Sequence, residues 1–134
     1  MKKVKFGIIG MGNMGSGHLS YFYDGKIENG VVSAIADVKA ARLEAAKKNY
    51  PGEYKCYSSG EELIDNADVD AVVIAVPHYD HPPLAIRALK RGLNVICEKP
   101  AGVYTKQVKE MNAVAEQSKG LFTMMYNQRT NPLY

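Results

Sequence analysis

The sequence contains few of the residues that are typical of disulfide-rich or metal-binding proteins. It has only two cysteines, Cys56 and Cys97, which lie 41 positions apart in strand-like segments. We expect both to be buried, reduced thiols of a cytoplasmic protein. A zinc site needs about four nitrogen, sulfur or oxygen ligands, and no such cluster is evident along the chain. The sequence therefore predicts no metal site.

Long apolar runs and an excess of one charge are also missing. No apolar run approaches the roughly 18 residues of a membrane span. The basic start is followed only by the short apolar stretch Phe6–Ile9 and then by glycines, which favours a first strand over a signal peptide. The net charge is +3, with Lys and Arg dispersed among Asp and Glu. These features predict no membrane and no nucleic-acid partner.

What the chain does have is an alternation of short apolar runs with amphipathic segments, without repeats or linkers. Its 134 residues suffice for one core and are too few for two. Several runs are almost continuously apolar, as expected for a parallel sheet covered on both faces. The predicted strands are Val4–Ile9, Val31–Ala36, Tyr54–Tyr57, Ala71–Val76, Asn94–Cys97 and Leu121–Tyr126.

Helix signals separate these strands. Lys39–Asn49 places small and apolar residues on one face, and Ser59 with Glu62 has the spacing of a capping box. Gly92 suits the left-handed exit of the helix before it. Strands alternating with helices predict a doubly wound α/β fold, a parallel Rossmann sheet of order 3-2-1-4-5-6.

A glycine loop directly follows the first strand and opens a helix. Gly10 allows a tight turn, Gly12 lets the backbone approach a pyrophosphate, and Gly15 lets the helix pack close to the strand. Asn13 and Met14 stand at the start of the helix, where free amides and a partial positive charge favour phosphates. In this context the pattern predicts a dinucleotide site rather than a structural glycine turn.

Asp37 ends the second strand, 22 positions after Gly15. This matches the offset of about 20 residues at which a carboxylate reaches the adenosine ribose hydroxyls. Such a carboxylate repels a 2′-phosphate, so we expect NAD to be preferred over NADP, although Lys39 and Arg42 partly offset the repulsion. The alternative is a helix cap before Lys39, and both roles can coexist.

Two further polar loops end the fourth and fifth strands, at the edge where ligands bind in this architecture. The first contains Val76-Pro77-His78 and continues to His81, and the second contains Glu98-Lys99-Pro100. Lys99, at the lip of an apolar strand, is a candidate for proton exchange. On spacing alone a solvated lysine is an equal alternative.

These motifs together resemble the Gfo/Idh/MocA family, which groups glucose–fructose oxidoreductase, inositol dehydrogenase and their relatives. The resemblance covers essentially the whole chain, and the Glu-Lys-Pro motif is far more specific than the glycine loop. It implies that Lys99 lies beside the nicotinamide and contacts the substrate hydroxyls, and that Glu98 and Pro100 shape its loop. The remaining residues that it implies near the cofactor or active site are Val76, Pro77, His78, His81, Asn127 and Arg129.

Several of these residues have simpler alternatives. His81 is as well explained as a structural histidine at a helix start, and His78 as a residue of the loop surface. His18, in the first helix, is better explained as structural.

The chain departs from this family in length. Members carry a second α/β domain that holds the substrate pocket and supplies an Asp and a His for proton transfer. We therefore expect residues 1–126 to form the NAD(P)-binding domain and residues 127–134 to begin a crossover to a missing domain. The resemblance implies a homo-oligomeric parent enzyme, and we expect this fragment alone to be inactive.

The resulting prediction is part of an oxidoreductase that acts on a secondary alcohol of a sugar, cyclitol or related polyol. Its catalytic residue within the chain would be Lys99, and its cofactor NAD, with NADP as a second possibility. The alternatives are a non-catalytic dinucleotide-binding or redox-sensing module and an S-adenosylmethionine-dependent methyltransferase. Lys99 with its Glu and Pro neighbours argues against the methyltransferase, since methyl transfer needs no lysine there.

Overall fold

The computed structural model of the chain describes residues 3–77, 80–99 and 105–125. In these residues six strands alternate with five helices. In chain order the elements are β1 (Val4–Ile9), α1 (Asn13–Tyr23), β2 (Gly30–Ala36), α2 (Ala40–Asn49), β3 (Lys55–Tyr57), α3 (Gly60–Asn66), β4 (Ala71–Ile74), α4 (His81–Lys90), β5 (Asn94–Glu98), α5 (Thr105–Gln117) and β6 (Phe122–Met125). All the strands join one sheet of order β3-β2-β1-β4-β5-β6 in which every pair is parallel. The predicted Rossmann order is confirmed.

The strand ends differ from the sequence predictions by one or two residues. β4 ends at Ile74 rather than Val76, because Ile74 is the last residue paired with β1, opposite Ile9. β5 continues to Glu98, which still pairs with β6. Val76 consequently belongs to the loop beyond the sheet, and Glu98 belongs to the sheet itself.

The two faces of the sheet carry separate hydrophobic clusters. One packs β-strand residues such as Val95 and Cys97 against α3, α4 and α5. The other contains Ile8 and Ile35 with residues of α1 and α2, and Ile96 packs against it. Because side chains alternate along a strand, β5 contributes to both cores. No helix in the described part of the chain is long and apolar enough to cross a membrane.

Two local predictions need correction. Ser59 caps α3 by accepting a hydrogen bond from the Glu62 amide at 3.1 Å, but the Glu62 carboxylate accepts from the Ser58 hydroxyl at 2.7 Å. Only half of the capping box therefore forms, because the neighbouring hydroxyl occupies the Glu62 side chain. The apolar face predicted over Lys39–Asn49 is also incomplete. In α2, Ala46 is buried but Ala40 is exposed, because the first turn of the helix lies at the surface.

The two cysteines differ in environment. Cys97 is fully buried, and burial, together with the negative charge of Glu98, raises the pKa of its thiol to about 12. Cys56 is exposed, so the prediction that both are buried is wrong for Cys56. The reason is that β3 is a three-residue strand at the edge of the sheet.

The contact between α1 and β1 predicts opposite effects for two glycines of the same helix. A Cβ at Gly15 would lie 1.7 Å from the carbonyl oxygen of Gly10, whereas a Cβ at Gly17 meets no described atom within 4 Å. We expect Gly15→Ala to lower the free energy of unfolding by about 1–3 kcal/mol or more, because backbone must move. Gly17→Ala should raise it by up to about 1 kcal/mol through helix propensity. Urea denaturation measures both, and equal effects would contradict this packing.

Candidate functional site

The loops after β1, β2 and β4 enclose a cleft of about 330 Å³ at the carboxyl edge of the sheet. The cleft brings together residues that the sequence analysis selected from three distant segments. They are Gly10, Gly12, Asp37, Lys39, Arg42, Val76 and Pro77. The predicted convergence of the strand ends is therefore present in the structure.

Gly10 makes the tight turn out of β1. Its φ of +95° belongs to the region that favours glycine, and a Cβ there would lie 2.6 Å from the Ala75 carbonyl oxygen. The Gly10 amide donates to the Ala36 carbonyl at 2.8 Å, and the Ala75 amide donates to the Ile9 carbonyl at 2.8 Å. The loop is thus bound on both sides, to β2 and to the loop after β4.

Gly12 differs from Gly10 and Gly15 because a Cβ at Gly12 would not clash with the described atoms of the protein. It is the N-cap of α1, with φ −75° and ψ −157°, which other residues also adopt. The nearest described atom to a Cβ built there is the Arg42 Nη1, at 3.7 Å. The missing side chain therefore leaves room for a group from outside the chain.

The first turn of α1 borders this open space. The first amides of any helix have no partner within the helix and carry its positive dipole end, and Asn13 and Met14 are exposed here. The helix spans 11 residues. Its amino end and the bare Gly12 backbone form a surface that suits a phosphate.

Asp37 is largely buried and connects the loops. Its Oδ2 accepts a hydrogen bond from the Met11 amide at 2.8 Å, and its Oδ1 accepts one from the Lys39 amide at 2.8 Å. The Arg42 Nη1 lies 3.6 Å from Oδ2. These donors stabilise a carboxylate that is only 7% exposed. The bond to Met11 was not predicted.

The proposed capping role of Asp37 is partly correct. α2 begins at Ala40 with Lys39 as its N-cap, and the Lys39 side chain makes no capping bond. The Asp37 carboxylate satisfies the Lys39 amide instead. Since a carboxylate can accept about four hydrogen bonds, Asp37 keeps acceptor capacity towards the cleft.

The loop after β4 contributes an apolar wall. Val76 is half-buried and Pro77 exposed, and both line the cleft. His81 is fully buried, and its Nε2 lies 2.7 Å from the Val76 carbonyl oxygen. This matches the alternative explanation of His81 as a structural histidine. Its ring supports the apolar wall through the contact with the Val76 carbonyl oxygen.

Glu98 and Lys99 stand at the end of β5, one strand further along the same edge. Lys99 is exposed, and Glu98 is buried. The Glu98 Oε1 lies 2.6 Å from the Nε2 of His18 on α1. Sequence reasoning treated His18 as structural without finding this partner. Two spacings could have indicated this pair. His18 lies one helical turn after Gly15 and therefore on the same face of the helix, and Glu98 lies two residues after Ile96 and therefore on the same face of the sheet.

Some predicted positions lie outside the described residues: His78, Pro100, Asn127 and Arg129. Among the residues that the structure does describe, no group of three His, Cys, Asp or Glu side chains is placed to hold a metal ion.

Comparison with known proteins identifies a family and several relatives for this chain. Residues 4–126 match the Gfo/Idh/MocA model, described as an oxidoreductase family with an NAD-binding Rossmann fold. An inositol 2-dehydrogenase of Corynebacterium glutamicum is 38% identical over 99 residues, which cover 74% of this chain and 29% of that protein.

Solved structures of inositol dehydrogenases are also similar to this chain. The myo-inositol 2-dehydrogenase of Lactobacillus plantarum superposes with a TM-score of 0.92 at 31% identity, covering 98% of this chain and 38% of that one. The scyllo-inositol dehydrogenase of Lactobacillus casei, solved with bound NAD(H) and scyllo-inositol, gives 0.90 at 29% identity, covering 98% and 38%. The chain therefore spans about three to four tenths of the length of these relatives.

The double role of Asp37 predicts a measurable cost for a nearly isosteric change. In Asp37→Asn one oxygen becomes an amide donor, which then faces either the Met11 or the Lys39 amide. We expect the free energy of unfolding to fall by about 1–3 kcal/mol, the cost of one unsatisfied buried donor. Asp24→Asn, at an exposed position after α1, is the control and should change stability little. If the two variants are equally stable in urea, Asp37 does not hold the loops together.

Proposed function

Because this chain belongs to the Gfo/Idh/MocA family of oxidoreductases, we propose that it is the dinucleotide-binding part of an NAD-dependent dehydrogenase. The proposed substrate is a secondary alcohol of an inositol or a related polyol. The observation that carries the proposal is the bare backbone of Gly12 at the amino end of α1, beside the buried carboxylate of Asp37.

The residues of the cleft suit the parts of NAD. Gly12, Asn13 and Met14 would bind the pyrophosphate through backbone amides, with Gly10 and Gly15 fixing the shape of the loop. The spare acceptor capacity of Asp37 suits the adenosine ribose hydroxyls. Val76 and Pro77 form an apolar wall at the neighbouring strand end, on the path towards Lys99.

The preference for NAD follows from the charge at the end of β2. A 2′-phosphate on the adenosine ribose would approach the buried Asp37 carboxylate, which already has its backbone donors. Arg42 is half-exposed and lies near Asp37, so it tempers the repulsion without removing it. We propose NAD as the working cofactor and weaker binding of NADP.

Lys99 is the proposed catalytic residue of this chain. A bound nicotinamide dinucleotide supplies the site with the capacity to accept a hydride from the alcohol carbon. At the end of β5, Lys99 would contact the substrate hydroxyl and take part in removing its proton. The inositol dehydrogenases among the relatives support a cyclitol as the substrate class.

The wider organisation is also proposed by analogy. Residues 1–126 form the dinucleotide-binding domain, and residues 127–134 begin a crossover to a substrate domain. His78, Asn127 and Arg129 remain proposed members of the site. We place the enzyme in the cytoplasm, as a homo-oligomer without a nucleic-acid partner.

The variant Gly12→Val tests cofactor binding independently of folding. Because Gly12 borders open space, the variant should fold with an unfolding midpoint close to that of the parent. Its branched side chain would occupy the place of the pyrophosphate and weaken NADH binding by at least about tenfold, or 1.4 kcal/mol. Fluorescence titration with NADH measures this, with Gly17→Val as a control that should bind normally. Normal NADH binding by a folded Gly12→Val protein would mean that the phosphate site is elsewhere.

The 134-residue chain should bind the cofactor without turning over. We expect it to bind NADH more tightly than NADPH. It should produce no NADH from NAD with myo-inositol, scyllo-inositol or a panel of sugars, followed by absorbance of the reduced nicotinamide. Turnover on the order of 1–1000 per second would contradict the need for a further domain. Failure to bind NADH would contradict the proposed function.

A further inference from the structure

A histidine and a carboxylate connect the helix of the phosphate loop to the strand that carries Lys99. The His18 Nε2 and the Glu98 Oε1 are 2.6 Å apart although the residues are 80 positions apart in sequence. Their side chains are only 14% and 9% exposed. A carboxylate can only accept, so we assign the contact as a hydrogen bond that the His18 Nε2 donates to the Glu98 Oε1.

The local structure of both elements aims these side chains at each other. Gly15, His18 and Leu19 share one face of α1, because residues three and four apart are neighbours on a helix. Gly15 and Leu19 are buried, so this face is turned to the sheet. The close approach of Gly15 to Gly10 sets how near α1 comes to the strands.

Alternation along β5 supplies the other half of the pair. Val95 and Cys97 belong to the core on the side of α4 and α5, while Ile96 packs against the core on the side of α1. Glu98 is in phase with Ile96 and therefore lies on the α1 side. It meets His18 there, immediately before the chain turns out of the sheet at Lys99.

The pair bears on this turn because the buried Glu98 carboxylate is hydrogen-bonded to His18. A carboxylate with little access to water needs a hydrogen-bond donor, and removal of that donor favours a shift of the carboxylate towards solvent. Such a shift in Glu98 would carry the adjoining Lys99 backbone with it. The contact thus ties the position of Lys99 to the helix whose amino end borders the cleft.

We propose that His18 is a positioning residue that holds the Glu98–Lys99 strand end in register with the phosphate-binding helix. This inference rests on the proposed function. It assigns His18 an effect on the nicotinamide half of the cofactor, next to Lys99, and not on the adenosine half next to Asp37. A purely structural His18 would affect both halves alike, through the stability of α1.

Two matched variants and two ligands distinguish these cases. In His18→Gln the amide nitrogen stands about where the imidazole Nε2 stood and can still donate to Glu98. In His18→Asn the amide is one methylene too short. NADH and ADP-ribose share the adenosine, both phosphates and a second ribose, but only NADH carries nicotinamide. Dissociation constants of both ligands are measured by calorimetry on the full chain, with unfolding midpoints recorded for each variant.

We expect His18→Asn to weaken NADH binding by about fivefold to tenfold, or about 1–1.4 kcal/mol, as for loss of a typical hydrogen bond, and to leave ADP-ribose binding within about twofold. His18→Gln should restore most of the NADH affinity. Equal losses for both ligands, no loss for either, or no rescue by Gln would overturn the inference. If the parent chain binds ADP-ribose but not NADH, the inference fails as well. If the parent chain binds neither ligand, the proposed function fails first.

Discussion

The buried carboxylate of Asp37 is the interaction on which the rest of the site depends. It accepts one hydrogen bond from the loop after β1, through Met11, and one from the start of α2, through Lys39. These bonds fix the glycine loop against the end of β2. The position of α1 follows, because Gly15 packs on the Gly10 carbonyl, and with it follow the open backbone at Gly12 and the direction of the helix amino end.

One acidic side chain can serve both structure and binding here because its acceptors outnumber its internal donors. Two backbone amides and a nearby Arg42 offset the cost of burying the charge, and about two acceptor positions remain for ribose hydroxyls. The arrangement also means that cofactor preference and loop stability cannot be altered independently at this residue. Residues with a single role, such as Gly12, are better places to test binding alone.

The sequence predicted what depends on local pattern. The parallel sheet followed from apolar periodicity and the need for crossover helices, and its strand order from the usual arrangement of this fold class. The roles of Gly10 and Gly15 followed from their spacing behind β1. It did not predict the Met11–Asp37 bond or the His18–Glu98 pair, because both depend on how distant segments align in three dimensions. The exposure of Cys56 was missed although the predicted strand order places β3 at an edge, because a strand of three residues gives too short a pattern to show which side chain faces the solvent.

The central claim is that the carboxyl edge of the sheet around Gly12 and Asp37 binds a nicotinamide dinucleotide. The most direct measurement is a titration of the isotope-labelled chain with NADH, followed through backbone amide resonances by NMR. We predict that the amides of Met11, Gly12, Asn13 and Lys39 shift, while those of Gly25 and Gly52, which line a groove at the amino ends of the strands, stay in place. Shifts confined to that opposite groove, or no shifts at saturating NADH, would contradict the account.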